Sequence, residues 1–167
     1  MKLLITSLII FLIFSSIAFA QSFKDKVLFS PDVAFIWNFQ RGVEELYRLV
    51  KFSSLMRVEY SLGLSERRIG EMEVLITKNK SNMVPMVENE YELELDKIQN
   101  NMNSTDILSK FIVPINADIK ENVTQRLQYN NRVLDNISKN ASEPAKTSLI
   151  NAIKKTSGCI DSINKMR

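Results

Sequence analysis

Apolar residues recur at helical spacing along most of the chain. The first such stripe consists of Ile36, Phe39, Val43, Leu46 and Val50. Because its members stand three or four residues apart, the stripe predicts one amphipathic helix over about residues 32–51. Ser30 and Pro31 precede it in the order expected of an N-cap followed by a proline in the first helical turn.

A second segment has the most regular pattern in the chain. Its stripe consists of Leu55, Val58, Leu62, Ser65, Ile69, Met72 and Ile76. The alternating steps of three and four predict a heptad seam that is interrupted by one polar residue, Ser65. Glu59, Glu66 and Glu73 stand seven residues apart beside the seam, so we expect a line of carboxylates rather than a converging cluster. Arg67 and Arg68 are spaced to form exposed pairs with Glu71 on the same helix.

A third helix is predicted from Val84 to about Met102, with Pro85 in its first turn. Its apolar stripe consists of Val87, Tyr91, Leu95, Ile98 and Met102. Its acidic residues are Glu88, Glu90, Glu92, Glu94 and Asp96. They alternate around a helix, so we expect them to fan across a solvated face rather than to converge on a metal or a substrate.

Two further helical segments complete the pattern. The first runs through Ile119, Val123 and Leu127, with a kink or break expected near Val113 because Pro114 removes a backbone donor. Ser142, Glu143 and Pro144 then begin a last helix. The seam of that helix consists of Leu149, Ile153, Thr156, Ile160 and Ile163. The predicted fold is all-α, an up-and-down antiparallel helical bundle of four to five helices with coiled-coil-like seams.

The first twenty residues have the layout of a secretory signal peptide. Lys2 precedes an apolar run from Leu3 to about Ile17, and the triplet Ala18 to Ala20 has the small-x-small form of a cleavage site. We therefore expect a signal peptide over residues 1–20, cleavage between Ala20 and Gln21, and a single helical-bundle domain over 21–167. The expected location is extracytoplasmic, whether periplasmic, cell-surface or secreted. The alternative is an uncleaved N-terminal membrane anchor, since about 18 apolar residues can span a bilayer.

Charge and cysteine content narrow the class of protein. The chain has 22 basic and 19 acidic residues, and loss of Lys2 with the signal peptide leaves 21 minus 19, or +2. So small and evenly spread a charge does not favour nucleic acid as a partner. Cys159 is the single cysteine, so no internal disulfide can form. We expect a buried thiol in the last helix, with an intermolecular disulfide as the alternative.

The residue types present restrict catalysis. The chain contains no histidine, which removes the commonest general base and every nucleophile–histidine or Glu-x-x-His arrangement. Haem attachment and zinc sites built from cysteine and histidine fail for the same reason. We therefore predict no catalytic, cofactor-binding or metal-binding residues and no cofactor. An enzyme that uses carboxylates alone is retained as a third hypothesis.

One family resemblance emerges from the first two predicted helices. The residues that carry it are Ser30, Pro31, Arg41, Glu59, Arg68, Glu71 and the closing segment Lys78, Asn79 and Lys80. In this order they resemble a family of exported prokaryotic proteins, the domain-of-unknown-function family numbered 5667. Trp37 and Asn38 replace a usual basic pair, and Asn79 replaces a usual glycine. The resemblance covers about residues 28–98 and leaves 103–167 outside; it implies an exported helical domain and supplies no activity.

The function that these observations favour is a non-enzymatic, exported helical bundle that acts by protein binding or by a structural role in the cell envelope. Another protein or a second copy could pair with one of its helical seams, although internal packing of the seams is favoured. The alternative is a chaperone-like or membrane-surface protein that exposes the amphipathic first helix. Because Val33 to Trp37 are all apolar, we expect that helix instead to be the central and most buried one, which disfavours membrane contact.

Overall fold

The structure, a computed structural model, describes residues 22–51, 53–103 and 115–166. Within these ranges it contains five α-helices and no strand. They are α1 (Ala34–Leu49), α2 (Ser54–Thr77), α3 (Val84–Met102), α4 (Ala117–Ser138) and α5 (Ala145–Lys165). Short 3-10 turns occupy Phe23–Lys26 and Ser81–Met83. The predicted all-α fold is confirmed, and the break expected near Pro114 lies outside the described residues.

Local signals set several helix starts. The Ser53 hydroxyl accepts a hydrogen bond from the Met56 backbone N–H at 3.2 Å, and the Asn116 side chain accepts one from Ile119 at 2.9 Å. These two residues therefore cap α2 and α4. Pro85 lies in the first turn of α3, and the bounds of that helix agree with the prediction.

Helix α1 is shorter than the predicted range of 32–51. The N-cap is Val33, and Ser30 instead closes a turn by accepting from the Val33 backbone N–H at 3.1 Å. Lys78 donates to the Ser30 hydroxyl at 3.1 Å, and Lys80 donates to the Asp32 carboxylate at 2.8 Å. These contacts occupy the side chains that would otherwise cap the helix, so the prediction that Ser30 is its N-cap was wrong.

Helices α2 to α5 form an up-and-down bundle. The neighbours around it are α2 with α3, α3 with α5, α5 with α4, and α4 with α2. Helix α1 lies outside this bundle against α2 and α3. It runs antiparallel to α2, because Trp37 bonds to Glu71 while Arg48 bonds to Ser61. Its backbone approaches the other helices less closely than theirs approach one another, so long side chains span the gap.

Most of the core lies in the space enclosed by α2 to α5, and Trp37 of α1 and Phe23 belong to it as well. The seam predicted for α2 lies there, with Val58, Leu62 and Ile69 fully buried. A polar layer crosses the middle of the core. The hydroxyls of Tyr91 and Thr156 bond at 2.7 Å, and the Asn130 amide donates to the Ser65 hydroxyl at 3.2 Å. This layer links all four helices, so the polar residues in the predicted seams serve internal packing.

Candidate functional site

Helix α1 turns its polar side toward the bundle. Its buried residues are Trp37, Gln40 and Glu44, and Arg41 and Arg48 are half-buried beside them. These residues recur at steps of three and four, as the apolar stripe does, and so occupy one face of the helix. The face that meets α2 and α3 is therefore charged and hydrogen-bonded.

The opposing surface of the bundle supplies matching charges. Together with α1 they form a group that we name the ionic cluster: Arg41, Glu44, Arg48, Arg67, Arg68, Glu71, Glu90 and Glu94. Four arginines and four glutamates give a formal charge of zero. This balance matters because an unpaired charge in such a place is strongly destabilising.

Arg68 lies at the centre of the ionic cluster. Its side chain is fully buried and donates to Glu44 of α1 and to Glu71 of its own helix. Glu71 also accepts from the Trp37 indole N–H at 3.0 Å, and the Arg68 guanidinium lies 5.9 Å from the centre of that ring. The predicted Arg68–Glu71 pair is thus present, but the expectation that it is exposed was wrong.

Two further arginines join α1 to α2 and α3. Arg67 donates to Glu44 at 2.7 Å, so it pairs across helices and not with Glu71 as predicted. Arg48 makes two bonds of 2.8 Å to the two oxygens of the fully buried Glu94 and a third of 2.8 Å to the Ser61 hydroxyl. One guanidinium nitrogen thus bonds both oxygens of Glu94 while the other terminal nitrogen bonds Ser61, so Arg48 ties α1 to α2 and α3 at once.

The free-energy cost of burying these charges is only partly offset by their ion pairs and hydrogen bonds. Burial raises the pKa of Glu71 above its usual value, although Arg68 and Trp37 favour its charged form. Burial likewise lowers the pKa of Arg41, and repulsion from Arg68 adds to the effect. For Arg48 burial acts in the same direction, but the bonds to Glu94 outweigh it and raise the pKa. The bonds of the ionic cluster thus outweigh burial at Arg48 but not at Glu71 or Arg41.

The opposite side of α1 is apolar and faces solvent. We name this surface the outer face: Phe35, Ile36, Phe39, Leu46, Tyr47, Leu49 and Val50, all of them exposed large side chains. The fractional exposure of Phe35 is 84%, that of Leu49 is 77% and that of Phe39 is 67%. Leu28, Phe29 and Val33, which precede the helix, are exposed as well. Contiguous apolar exposure of this kind marks interaction sites in folded proteins.

The prediction that the first helix is the most buried one was wrong. The apolar stripe exists, but Phe39, Leu46 and Val50 point into solvent. The reason is that Arg68, Glu71 and Glu94 form a buried charged surface that only the polar side of α1 can satisfy. Turning α1 over would leave those charges against phenylalanine and leucine.

The acidic run of α3 is less exposed than predicted. Glu88 and Glu94 are buried, and Glu90, Glu92 and Asp96 are half-buried. The cause is that α3 packs against α1, α2 and α5, which leaves little of its surface in water. The expectation of a broad solvated acidic face was therefore wrong.

The line of glutamates on α2 holds other segments in place. Arg126 of α4 pairs with Glu59 at 2.6 Å and with Glu66 at 2.8 Å. Glu66 also pairs with Lys26, and Glu73 accepts from the Ser22 hydroxyl at 2.6 Å. The carboxylates form the predicted line and are used in ion pairs between segments.

Cys159 is buried in α5, as predicted. Its Sγ lies 3.9 Å from the Leu95 backbone oxygen, and burial raises the pKa of the thiol to about 11. The thiolate is the reactive form, so the native cysteine is protected against modification.

Other features carry less chemistry. A half-open cleft of about 260 Å³ lies between α2 and α4 near Ser22, and Glu73 at its edge is already paired with Lys24. Among the described residues, no three side chains of the metal-binding types converge. Over the same ranges, none of the helices has the length and apolarity required to cross a bilayer.

Comparisons with known proteins place the chain in a family. Comparison with curated proteins and with solved structures returned no match. The family model described as "Domain of unknown function (DUF5667)" matches residues 30–144. The predicted family is confirmed, and the match includes the whole ionic cluster, the outer face and α4, so it extends beyond residue 98, where the resemblance was expected to end. Since the match covers more than half of the 167 residues, the chain belongs to the DUF5667 family.

Proposed function

We propose that the protein is an exported, non-enzymatic binding protein that engages another surface through the outer face of α1. The observation that carries this proposal is the orientation of α1. An amphipathic helix that packed for stability alone would bury Phe39 and Leu46; in this chain their fractional exposures are 67% and 65%. Exposing so many large apolar groups is unfavourable unless a partner covers them.

The ionic cluster supports the same function. It holds α1 through Arg48–Glu94 and Arg68–Glu44, so the outer face needs no apolar contact with the bundle. The helix is thus presented in a fixed orientation before any partner arrives. Preorganisation of this kind lowers the entropic cost of binding.

Two observations support a non-enzymatic role. The chain lacks histidine, and the buried carboxylates Glu44, Glu71 and Glu94 are each held by an arginine. Because these bonds occupy the carboxylate oxygens, few acceptor positions remain on them for a substrate. Export is supported by the charged, apolar and small-residue order of residues 1–20.

Photo-crosslinking in the producing cells tests this function. Phe39 is replaced by the photoreactive analogue p-benzoylphenylalanine, a change that the exposed site tolerates. We expect irradiation to attach a partner at this position, because the outer face is covered when the protein functions. The matched control carries the analogue at Ile150, an exposed apolar residue of α5. Equal or absent adducts at the two positions would contradict the proposal.

A further inference from the structure

The outer face has a definite width and composition. On a helical wheel with 100° per residue, the side chains of the outer face cover an arc of about 160° around α1. Leu49 lies at one edge of this arc and Tyr47 at the other. Within α1 this arc holds no charged residue; Asn38 and Glu45 border one edge and Gln40 the other. A coiled-coil seam is much narrower, since a and d positions alone form it. The arc is close to half the circumference of the helix.

We propose that the outer face binds the surface of a lipid bilayer, with α1 half-immersed at the boundary between headgroups and acyl chains. This inference rests on the proposed function and names its partner. A helix that lies in the plane of a bilayer immerses about half of its circumference, which the arc matches. Tyr47 is of the type enriched at the membrane–water interface, and Phe35, Phe39 and Leu46 are of the types found on the apolar face of interfacial helices.

A second copy of the chain fits the outer face less well. Helix α1 has 16 residues and is therefore about 24 Å long and about 10 Å wide. Two such convex helices in contact bury on the order of 240 Å² each, and even twice that is below the roughly 800 Å² per partner of a stable interface. Such a contact would leave part of the 160° arc in water. A lipid bilayer is fluid and therefore covers the whole arc.

The charged residues of α1 indicate whether the outer face needs anionic lipid. Arg41 and Arg48 point toward the bundle and are paired with Glu90 and Glu94. They are therefore not available to anionic headgroups. At the end of the helix, Lys51 lies over the Tyr60 ring, with its Nζ 5.7 Å from the ring centre. Binding is thus driven by apolar burial and takes place on neutral lipid as well as on anionic lipid.

Flotation with vesicles tests the inference. The core extends from Phe23 to Ile163, so the chain that starts at Gln21 keeps all of it and lacks the apolar run of residues 3–17. We expect this chain to float with phosphatidylcholine vesicles, and to do so with little loss at about 1 M salt, where the Debye length is about 3 Å. The Phe39→Ser/Leu46→Ser variant should partition about 100-fold more weakly, since two large apolar side chains are lost.

Controls separate this inference from the proposed function. Ile150→Ser, which removes an exposed apolar residue from α5, should float like the parent chain. Circular dichroism confirms that each variant is folded. Equal flotation of parent and Phe39→Ser/Leu46→Ser, or loss of flotation at high salt, overturns the lipid inference. Another outcome is a dimer in light scattering that does not float and that Phe39→Ser/Leu46→Ser abolishes. That result identifies a second copy as the partner and leaves the proposed function intact. If the chain does not float and no adduct forms at position 39, both the lipid inference and the proposed function are overturned.

Discussion

The Arg68→Met variant should lose about 3–5 kcal/mol of unfolding free energy at neutral pH, the usual effect of removing one member of a buried ion pair. Arg68 is fully buried and is the single arginine that bonds to Glu71 among the described residues. Without it the Glu71 carboxylate keeps only the Trp37 N–H as a donor. Urea unfolding followed by circular dichroism measures the loss.

The pH dependence of this variant identifies the cause. Burial already raises the pKa of Glu71, and loss of Arg68 raises it further in the folded state but not in the unfolded state. The folded variant then binds more protons than the unfolded chain, so its stability rises as the pH falls toward the ordinary pKa of glutamate. The deficit relative to the parent should therefore be smaller at acidic pH.

Two matched variants complete this test. Arg68→Met/Glu71→Gln removes the buried charge while a side-chain oxygen remains for Trp37, so it should recover much of the loss. Lys139→Met breaks the exposed pair with Asp135 and should cost less than about 0.5 kcal/mol. A cost for Arg68→Met as small as that for Lys139→Met would show that Arg68 does not lie between two buried carboxylates.

The Gly70→Ala variant should lose about 1–3 kcal/mol, the range observed for overpacked sites. A Cβ at this position would lie 2.3 Å from the Phe23 backbone oxygen. Since that atom belongs to the main chain, the turn Phe23–Lys26 must move away from α2. The edge-to-face contact between Phe23 and Tyr129, with ring centres 5.4 Å apart, would then be lost. Thermal and urea unfolding measure the change.

The same helix provides a control for Gly70→Ala. At Gly63, one heptad earlier, no described atom lies within 4 Å of a built Cβ. Gly63→Ala should therefore raise stability by up to about 1 kcal/mol, because alanine is the better helix former. If both substitutions raise stability alike, the N-terminal turn does not pack on Gly70.

The parts of the fold that depend on neighbouring residues could be predicted from the sequence. The seam of α2 follows from apolar spacing, and the bounds of α3 follow from its apolar stripe and Pro85, all of which act within a few turns. The burial of Cys159 follows from its place in a helix with an apolar seam. Each of these features depends on residues within the same helix or next to it.

The orientation of α1 could not be predicted in the same way. A periodic pattern shows that a helix has two faces, but it does not show which face meets the rest of the protein. In α1 the choice depends on Arg68 and Glu94, which lie 20 or more residues farther along the chain and are buried. One signal was present: Gln40, Glu44 and Arg48 recur at steps of four. A solvated polar face has the same spacing, so this stripe alone does not decide the orientation.

The ionic cluster gives a structural role to two of the residues that carry the family resemblance. Arg68 and Glu71, which carry part of that resemblance, are the residues against which α1 docks. They do not form a solvated surface pair, since both side chains are buried. They receive the polar side of α1, which leaves its apolar side exposed.

The outward orientation of the apolar side of α1 is tested most directly by thiol alkylation of adjacent positions. Phe39→Cys and Gln40→Cys are each made in a Cys159→Ala background and assayed as dilute protein without lipid. Phe39 is exposed and Gln40 is buried. The Phe39→Cys thiol should react as fast as in the unfolded chain. The Gln40→Cys thiol should be at least about tenfold slower, since its reaction requires local opening that costs about 1.4 kcal/mol or more. A protected thiol in Phe39→Cys and a reactive one in Gln40→Cys would contradict the account.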